Sequence, residues 1–188
     1  MSAVWKSAGG TLPPGAQNEQ QAADWVRRMF SDVAPRYDLL NHVLSFNIDR
    51  SWRKKLLRAV KPVLQQREAL VLDLCCGTGD VLLELQRHAM MPILGTDFCH
   101  PMLVAAQRKI RRRAFLSPLF GVDGLNLPLR DESLDLITIS FGFRNFANYQ
   151  SGLKELHRVL KPGGMLAILE FSHPKQNVIK AAYSFYAN

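Results

Sequence analysis

Short apolar runs alternate along the chain with segments in which apolar residues recur at helical spacing. Five runs have the length and apolar content of strands buried in a parallel sheet, at residues 69–75, 92–97, 119–122, 134–140 and 165–171. Helices are predicted between and after them, at residues 80–88, 101–112 and 149–160 and from residue 177 onward. This alternation predicts an α/β fold with a doubly wound, Rossmann-like, mostly parallel sheet.

The part of the chain before the first strand has a different character. Residues 1–19 are rich in Gly, Pro, Ser and Gln, a composition typical of a flexible tail. From Gln20 onward, helical spacing predicts a helix interrupted by Pro35, and Ser51 is expected to cap a second helix at residues 52–60. These helices precede the sheet, so we expect them to cover its cofactor mouth and to shape a substrate pocket.

The expected organisation is a single domain at residues 20–188. It begins with an N-terminal helical layer at residues 20–62, which forms a lid over the substrate, and continues with the cofactor-binding sheet at residues 69–188. The 188-residue chain is long enough for one such core, and its sequence predicts neither an internal repeat nor a second domain.

The composition is that of a globular protein, with 47% hydrophobic and 21% charged residues, and the formal net charge is +8. A basic balance is typical of chains that meet nucleic acid, an anionic membrane surface or an anionic ligand. The densest cluster, at residues 108–113, is either the solvated end of a helix or a contact for phospholipid headgroups or a partner. Since no nucleic-acid-binding motif accompanies it, we expect no nucleic-acid partner.

Three cysteines, two of them adjacent, form neither a disulfide framework nor a zinc-ligand pattern, so we expect no metal site and a reducing compartment. No apolar run approaches the length of a membrane span, and the first residues match neither a signal peptide nor a transit peptide. We therefore expect the chain in the cytoplasm, with peripheral contact at the inner face of the membrane left open.

A sharp glycine turn follows the first predicted strand. The apolar run at residues 70–74 leads into Gly77 and Gly79, which let the backbone turn tightly and let a ligand approach the start of the next helix. A dinucleotide fold requires G-x-G-x-x-G, whereas Leu82 stands where the third glycine belongs, which disfavours NAD or FAD. Asp97, at the end of the second strand, is placed to accept both ribose hydroxyls of a cofactor. Alternatively, it is a loop residue or a helix cap.

Four features resemble the class I S-adenosylmethionine-dependent methyltransferases. Asp-Leu-Cys-Cys-Gly-Thr-Gly at residues 73–79 is similar to the first motif of that family, with Cys75 where the family has its first glycine. Asp97, Asp-Gly at residues 123–124 and Leu-Lys-Pro-Gly-Gly at residues 160–164 are similar to its further features, in the same order. The resemblance implies S-adenosylmethionine as the cofactor.

The same resemblance implies roles for the residues of the glycine turn. The backbone of Gly77 and Gly79 would lie under the amino-acid end and the ribose of the cofactor. Thr78 would donate a hydroxyl hydrogen bond there, and Asp73 would order the turn or, through a water, the ammonium group.

Roles at the other strand ends are implied in the same way. Asp97 would take the ribose hydroxyls, and Asp123 would take the adenine amino group. The Gly124 N–H would donate to a ring nitrogen, and Ser140 would lie beside the methionine moiety.

Longer stretches resemble one branch of these enzymes, the ubiquinone/menaquinone biosynthesis C-methyltransferases. Met-Phe-Ser-Asp-Val-Ala-Pro-Arg-Tyr-Asp-Leu-Leu-Asn at residues 29–41, with Leu-Ser at 44–45 and Trp-Arg at 52–53, resembles their N-terminal signature. Ser-Phe-Gly-Phe-Arg-Asn at residues 140–145 resembles their second signature, and residues 169–174 resemble their strand-five ending. The resemblance implies methylation of a ring carbon of a polyprenylated quinol, namely demethylmenaquinol, the 2-polyprenyl-6-methoxybenzoquinol precursor of ubiquinol, or both.

The chain departs from this family at its C-terminal end. Family members continue into strands six and seven, whereas this sequence stops within the helix after strand five, so we expect a truncated product that lacks both strands. Two alternatives stay open, a methyltransferase of another small molecule and an S-adenosylmethionine-binding module without activity.

Arg144 and Asn145 are the candidates for chemistry, because they lie just past the fourth strand, near the expected sulfonium position. A guanidinium stabilises a developing phenolate but is a poor base, so a water polarised by Arg144 and held by Asn145 is the predicted proton acceptor. Tyr37 either completes that network or is a packed aromatic residue, and Arg144 and Asn145 alternatively only fix their loop. His42 is either a base or a structural residue.

The apolar tail of such a quinol requires an apolar entrance. Four aromatic residues either line that entrance or belong to the core, namely Phe46, Phe141, Phe143 and Phe146. Basic stretches at residues 53–58 and 108–113 are expected to hold the enzyme against an anionic leaflet. A homodimer is left open as a further association.

Overall fold

The chain is described by a computed structural model that covers residues 9–34, 37 and 48–170. Within it, five strands form one sheet in the order β3-β2-β1-β4-β5, and every neighbouring pair is parallel. The strands are β1 Val71–Leu74, β2 Leu94–Asp97, β3 Leu119–Gly121, β4 Leu134–Ser140 and β5 Leu160–Leu169. The helices are α1 Glu19–Val33, α2 Ile48–Leu64, α3 Asp80–Gln86, α4 His100–Arg112 and α5 Tyr149–Val159. The predicted doubly wound parallel sheet is confirmed.

Two apolar clusters hold helices to the two faces of the sheet. One cluster joins Val71 of β1 to residues of α2, α3 and α4, among them Val60, Leu82 and Ile110. The other joins Leu72 and Leu74 to α5 and to the segment after β4. Neighbouring residues of β1 thus serve opposite clusters, because side chains alternate along a strand. β1 is buried on both faces, as its uninterrupted apolar run predicts.

The start of α2 differs from the prediction. Ser51 lies inside the helix and does not cap it, because α2 already begins at Ile48. Leu56, Val60 and Leu64 recur every fourth residue on its buried face, and this packing carries the helix through Pro62.

β5 also begins earlier than predicted. Leu134 pairs with Leu160 and Leu136 pairs with Met165, so Lys-Pro-Gly-Gly at residues 161–164 bulges out of the ladder within the strand. The predicted end of this strand at Phe171 and the predicted helix from residue 177 lie outside the described residues.

The segment before α1 is packed against the sheet domain in part. The Thr11 N–H donates to the Phe146 carbonyl oxygen at 2.8 Å, and Asn18 caps α1 by accepting from the Gln21 N–H. Residues 9–18 therefore differ from the flexible tail expected of residues 1–19. Residues 1–8 lie outside the described part of the chain.

Candidate active site

A cleft opens at the carboxyl ends of the strands, where ligands bind in doubly wound sheets. Its walls come from the ends of β1, β2, β3 and β4, and α1 forms its roof through Ala23 and Phe30. Seven of the predicted site residues line this one cleft, namely Tyr37, Gly77, Asp97, Asp123, Gly124, Ser140 and Asn145. The topology therefore brings together residues that are far apart in the sequence.

The glycine turn wraps around the carboxylate of Asp97. Gly77 and Gly79 have φ angles of 54° and 84°, in the left-handed region that favours glycine, so the backbone can fold back over the end of β1. The Gly77 N–H then donates to Asp97 Oδ2 at 2.9 Å. The Cys99 N–H donates to Asp97 Oδ1, also at 2.9 Å. Both carboxylate oxygens keep further lone pairs for a ligand.

Burial raises the pKa of Asp97, and the backbone N–H donors of Cys99 and Gly77 act in the opposite direction. Because the two hydrogen bonds fix the carboxylate within the cleft wall, little reorganisation is needed when a ligand arrives. An acceptor held in this way suits a pair of vicinal hydroxyls.

Thr78 stands apart from the cleft. Its Oγ1 accepts from Lys109 Nζ at 3.0 Å, and the same ammonium donates to Asp80 Oδ1 at 2.6 Å. Asp80 Oδ2 in turn accepts from Arg53 of α2 at 3.3 Å. Although burial raises the pKa of Asp80, the hydrogen bond from Lys109 and the charges of Lys109 and Arg53 lower it overall. The structure thus shows Thr78 bonded within an ionic cluster that ties α2 and α4 to the turn.

Gly79 also lies outside the cleft lining, at the N-cap of α3. A Cβ placed on it would lie 3.1 Å from the Ala106 Cβ of α4. The glycine therefore permits close packing of the turn against α4, in addition to the left-handed φ.

Asp73 and Ser140 contribute buried polar atoms on the same sheet face. Asp73 pairs in register with Thr138, whose hydroxyl donates to Asp73 Oδ1 at 2.6 Å. Among the described residues, Asp73 Oδ2 and the Ser140 hydroxyl are buried without a hydrogen-bond partner. Burial raises the pKa of Asp73 to about 7, and the Thr138 hydrogen bond opposes this rise. Such orphaned acceptors fit a cationic ligand group that supplies the missing donors.

A second carboxylate, that of Asp123, follows the end of β3, and the next residue, Gly124, has no side chain. Asp123 Oδ1 accepts from the Leu125 N–H at 2.9 Å, which fixes the side chain in a short turn. A Cβ on Gly124 would lie 2.6 Å from the Phe146 ring, so a side chain at this position would displace that ring. The two residues form one wall of the cleft.

Arg158 of α5 braces the loop that carries this wall. Its guanidinium donates to the carbonyl oxygens of Leu127 and Leu129 at 3.0 and 2.9 Å and to the carboxylates of Glu155 and Asp131 at 2.6 Å each. The hydrogen bond from Arg158 lowers the pKa of Glu155. This brace could not be predicted from the sequence, because three of its partners, Leu127, Leu129 and Asp131, lie 27 to 31 residues away from Arg158.

The predicted catalytic residues divide between the cleft and its rim. Tyr37 and Asn145 line the cleft, and the Tyr37 ring meets Phe30 edge-on with the centroids 6.0 Å apart. Arg144 does not line it; its Nη1 donates to Glu170 Oε1 at 2.7 Å, and its N–H donates to the same carboxylate. A short 3₁₀ turn, Phe143–Asn145, carries both Arg144 and Asn145.

The candidate residues of the apolar entrance also divide. Phe141 and Phe146 line the cleft, and the Phe141 ring lies 6.2 Å from that of Trp52 at the start of α2. Phe143 stacks on Tyr149 with the centroids 5.2 Å apart and packs against the core. Phe46 lies outside the described residues, together with the candidate base His42 and the rest of residues 38–47.

Several lining residues escaped the sequence analysis, above all Ala23 of the roof and Phe98 and Met102 beyond β2. They are apolar, and nothing in their sequence pattern separates a cleft wall from a core. Within the described residues, no three His, Cys, Asp or Glu side chains group together in a way that would hold a metal ion.

Comparison with known proteins gives a family model and many relatives. The model described as the ubiE/COQ5 methyltransferase family matches residues 16–188. The demethylmenaquinone methyltransferase of Thermus thermophilus is 46% identical over 159 residues, which cover 84% of this chain and 71% of that protein. The ubiquinone/menaquinone biosynthesis C-methyltransferase UbiE of Geobacter sulfurreducens is 43% identical over 169 residues, covering 86% of this chain and 63% of that protein.

Solved structures show the same fold at low sequence identity. The cyclase SpnF has a TM-score of 0.71 at 21% identity, covering 92% of this chain and 66% of that one. A SAM-dependent methyltransferase from Aquifex aeolicus has a TM-score of 0.58 at 23% identity, covering 65% of this chain and 66% of that one.

Proposed function

Because this chain belongs to the ubiE/COQ5 methyltransferase family, we propose that its cleft holds S-adenosylmethionine beside a polyprenylated quinol and directs methyl transfer to a ring carbon of that quinol. The family resemblance inferred from the sequence is confirmed, and with it the assignment to the S-adenosylmethionine-dependent C-methyltransferases of quinone biosynthesis. The residue roles that follow, and the choice between naphthoquinol and benzoquinol, are our proposals.

The observation that carries the proposal is the position of Asp97, held by two backbone N–H donors at the edge of the cleft. Asp97 accepts the ribose hydroxyls of the cofactor, while Asp123 and the bare backbone at Gly124 hold its adenine. We assign the ammonium group of the cofactor to the unpartnered buried oxygens of Asp73 and Ser140, which it satisfies directly or through water. Of these two residues, Ser140 lines the cleft and Asp73 does not. When bound, the cofactor supplies an electrophilic methyl group.

The remaining residues act on the quinol. Tyr37 and Asn145 both line the cleft, and together they hold a water that takes the phenolic proton. Once the ring carbon carries the methyl group, the proton on that carbon leaves it and the phenolic oxygen regains a proton, so the ring becomes aromatic again and one proton is released overall. Arg144 is bonded to Glu170 at the rim, so it acts by fixing the 3₁₀ turn that presents Asn145 and is a positioning residue. Holding both reactants in line supplies a large part of the rate.

Two finer proposals concern associations. We propose that the enzyme meets its lipid substrate by peripheral contact with a membrane. As a separate proposal, the chain forms a homodimer, and light scattering at several protein concentrations tests this.

The test measures radiolabelled methyl transfer from S-adenosylmethionine to reduced demethylmenaquinone and, in parallel, to reduced 2-polyprenyl-6-methoxybenzoquinone. We expect a labelled product from at least one quinol. Asp97→Asn should weaken cofactor binding by about 10- to 100-fold, because an amide cannot accept from both backbone N–H groups and also from the ribose. Asn145→Ala should lower kcat by roughly 100-fold or more with cofactor binding unchanged.

Asp24→Asn, on the exposed side of α1, is the matched control and should leave both measurements unchanged. Cofactor binding without methylation of either quinol would overturn the proposed substrate and favour another small molecule or an inactive binding module.

A further inference from the structure

The positive charge of the chain is concentrated in three segments. Residues 51–68, 80–91 and 99–116 contain 12 of the 24 Lys and Arg residues but only three of the 16 Asp and Glu residues. They carry a formal charge of +9, whereas the whole chain carries +8, so the remainder is nearly neutral. We call these three segments the basic layer.

The structure places the basic layer on one face of the molecule. The segments correspond to α2, α3 and α4 with the loops that follow them, and all three helices pack into one apolar cluster on the same side of the sheet. Asp80 joins the three helices through Arg53 and Lys109. Ten other cations of the layer are exposed, namely Lys54, Lys55, Arg58, Lys61, Arg67, Arg87, Arg108, Arg111, Arg112 and Arg113.

Large apolar side chains stand exposed among these cations. Leu116, three residues after the arginine run, is 82% exposed, and Met90 in the neighbouring loop is 57% exposed. The two loops are linked, because Gln86 donates to the Met91 carbonyl oxygen and accepts from the Ser117 hydroxyl. Exposed apolar residues among cations are typical of surfaces that enter the headgroup region of a bilayer.

The basic layer also reaches one wall of the cleft. Trp52, near the start of α2, lies 6.2 Å from Phe141, whose ring lines the cleft. An apolar tail that enters beside Trp52 therefore passes the edge of the basic layer.

We propose that the basic layer is the surface by which this chain docks on an anionic lipid bilayer, with the entrance beside Trp52 turned toward the lipid. The inference deepens the proposed function, since it assumes that the quinol tail stays in that bilayer. Among the described residues, no helix is both long and apolar enough to span a membrane. Docking therefore rests on charge and on shallow insertion of Leu116 and Met90.

A nucleic acid is the other polyanion that a basic surface attracts, and the apolar side chains separate the two. Phosphate contacts need cations and polar groups. An exposed leucine or methionine stabilises a complex only where its side chain leaves water, as it does in a bilayer. Loss of lipid binding on replacement of Leu116 thus distinguishes a bilayer from a nucleic acid.

The experiment is flotation of the full chain with vesicles of phosphatidylcholine alone and with vesicles that contain phosphatidylglycerol. We expect binding only to the anionic vesicles and release at high salt. The triple variant Arg111→Gln, Arg112→Gln, Arg113→Gln should lose on the order of 100-fold in affinity, since each cation near the surface contributes about tenfold or less. Leu116→Ser should weaken binding by several-fold without a change in charge.

The matched control removes the same charge from elsewhere, with Arg28→Gln, Arg130→Gln and Lys154→Gln, all exposed and outside the basic layer. It should bind vesicles nearly as well as the unmodified chain. Equal losses in the two triple variants, binding that ignores lipid charge, or displacement by polyuridylate with no effect of Leu116→Ser would each overturn the proposal.

Failure of the docking proposal can be told from failure of the proposed function. Methyl transfer to a short-chain quinol in solution does not require a bilayer, so the arginine triple variant should keep that activity and lose it toward vesicle-embedded quinol. If the unmodified chain floats with anionic vesicles but methylates neither quinol, docking holds and the proposed function fails.

Discussion

Cys75 and Gly142 meet where β1 and β4 reach the cleft. Cys75 has a φ of 58°, in the region that favours glycine, yet it carries a side chain there. A Cβ on Gly142 would lie only 2.4 Å from the Cys75 Cβ and 3.0 Å from its Sγ. The absence of a side chain at Gly142 therefore makes room for Cys75. Cys75 itself occupies the position at which class I methyltransferases have the first glycine of their motif.

This contact predicts a coupled pair of substitutions. Gly142→Ala should destabilise the fold by about 1–3 kcal/mol and weaken cofactor binding, because the new methyl group forces the ends of β1 and β4 apart. Adding Cys75→Gly should restore most of the loss, since it removes the opposing Cβ and relaxes the left-handed backbone. Chemical unfolding and calorimetric titration with S-adenosylmethionine measure the two effects.

Gly121→Ala is the control, because a Cβ there meets only ordinary contacts at 3.8 Å. It should change stability by less than about 1 kcal/mol. If the effects of Gly142→Ala and Cys75→Gly on stability simply add in the double variant, the proposed steric contact does not exist.

The elements of the sheet could be predicted largely from the sequence. The run at residues 134–140 is rich in apolar and β-branched residues, which favour a strand, and β4 matches its prediction residue for residue. The start of α2 could not be predicted, because packing of Leu56, Val60 and Leu64 overrides the capping preference of Ser51. The cap of α1 had a readable signal, Asn18 followed by Gln21 three residues later, which was missed.

The site was predictable where a residue type is dictated by backbone geometry and unpredictable where partners come from distant segments. Gly77 and Asp97 lie together in the cleft because parallel strands end at one edge. The attachment of Thr78 to Lys109 and that of Arg144 to Glu170 each depend on a contact across more than 25 residues. A motif contains no information about such partners.

The segment before α1 and α1 itself form a strap over the cleft. At one end, Thr11 donates to the Phe146 carbonyl oxygen and Glu19 accepts from the Asn148 amide. At the other end, the Ser31 hydroxyl lies 3.4 Å from Cys99 Sγ. Because α1 lines the cleft between these two attachments, we expect movement of the strap to speed the exchange of a bound ligand.

Gly10 allows us to test the strap. A Cβ there would lie 1.9 Å from the Ala147 carbonyl oxygen, so Gly10→Ala should displace residues 9–18 and speed cofactor release by roughly tenfold, as measured by stopped-flow fluorescence. Thr11→Pro removes the N–H donor and should have a similar effect, whereas Thr11→Ala keeps it and should not. Unchanged release rates in Gly10→Ala and Thr11→Pro would show that the strap does not control access.

At the scale of the whole molecule, the ionisation of Asp73 is linked to folding. Asp73 lies in β1, a central strand that is buried on both faces, and burial raises its pKa to about 7. In the unfolded chain a carboxyl of this type titrates near pH 4. Between these values the folded chain binds more protons than the unfolded one, so the free energy of unfolding falls as the pH rises from about 4 to 7.

Asp73→Asn should remove this contribution to the pH dependence of the free energy of unfolding. The difference in free energy of unfolding between about pH 4.5 and 7.5 should become smaller by about 3 kcal/mol, measured by urea unfolding at each pH. Asp135→Asn is a control of opposite sign. Burial raises the pKa of Asp135, but the Lys161 hydrogen bond lowers it overall, so the stability that Asp135 contributes is lost only as the pH falls below about 4.

The same Asp73→Asn variant should also bind S-adenosylmethionine more weakly at pH 7.5. The cationic ammonium group of the cofactor favours the ionised carboxylate of Asp73, which burial in the folded chain disfavours. The buried charge is then retained for ligand binding at the expense of stability, and an unchanged pH profile in Asp73→Asn would contradict this linkage.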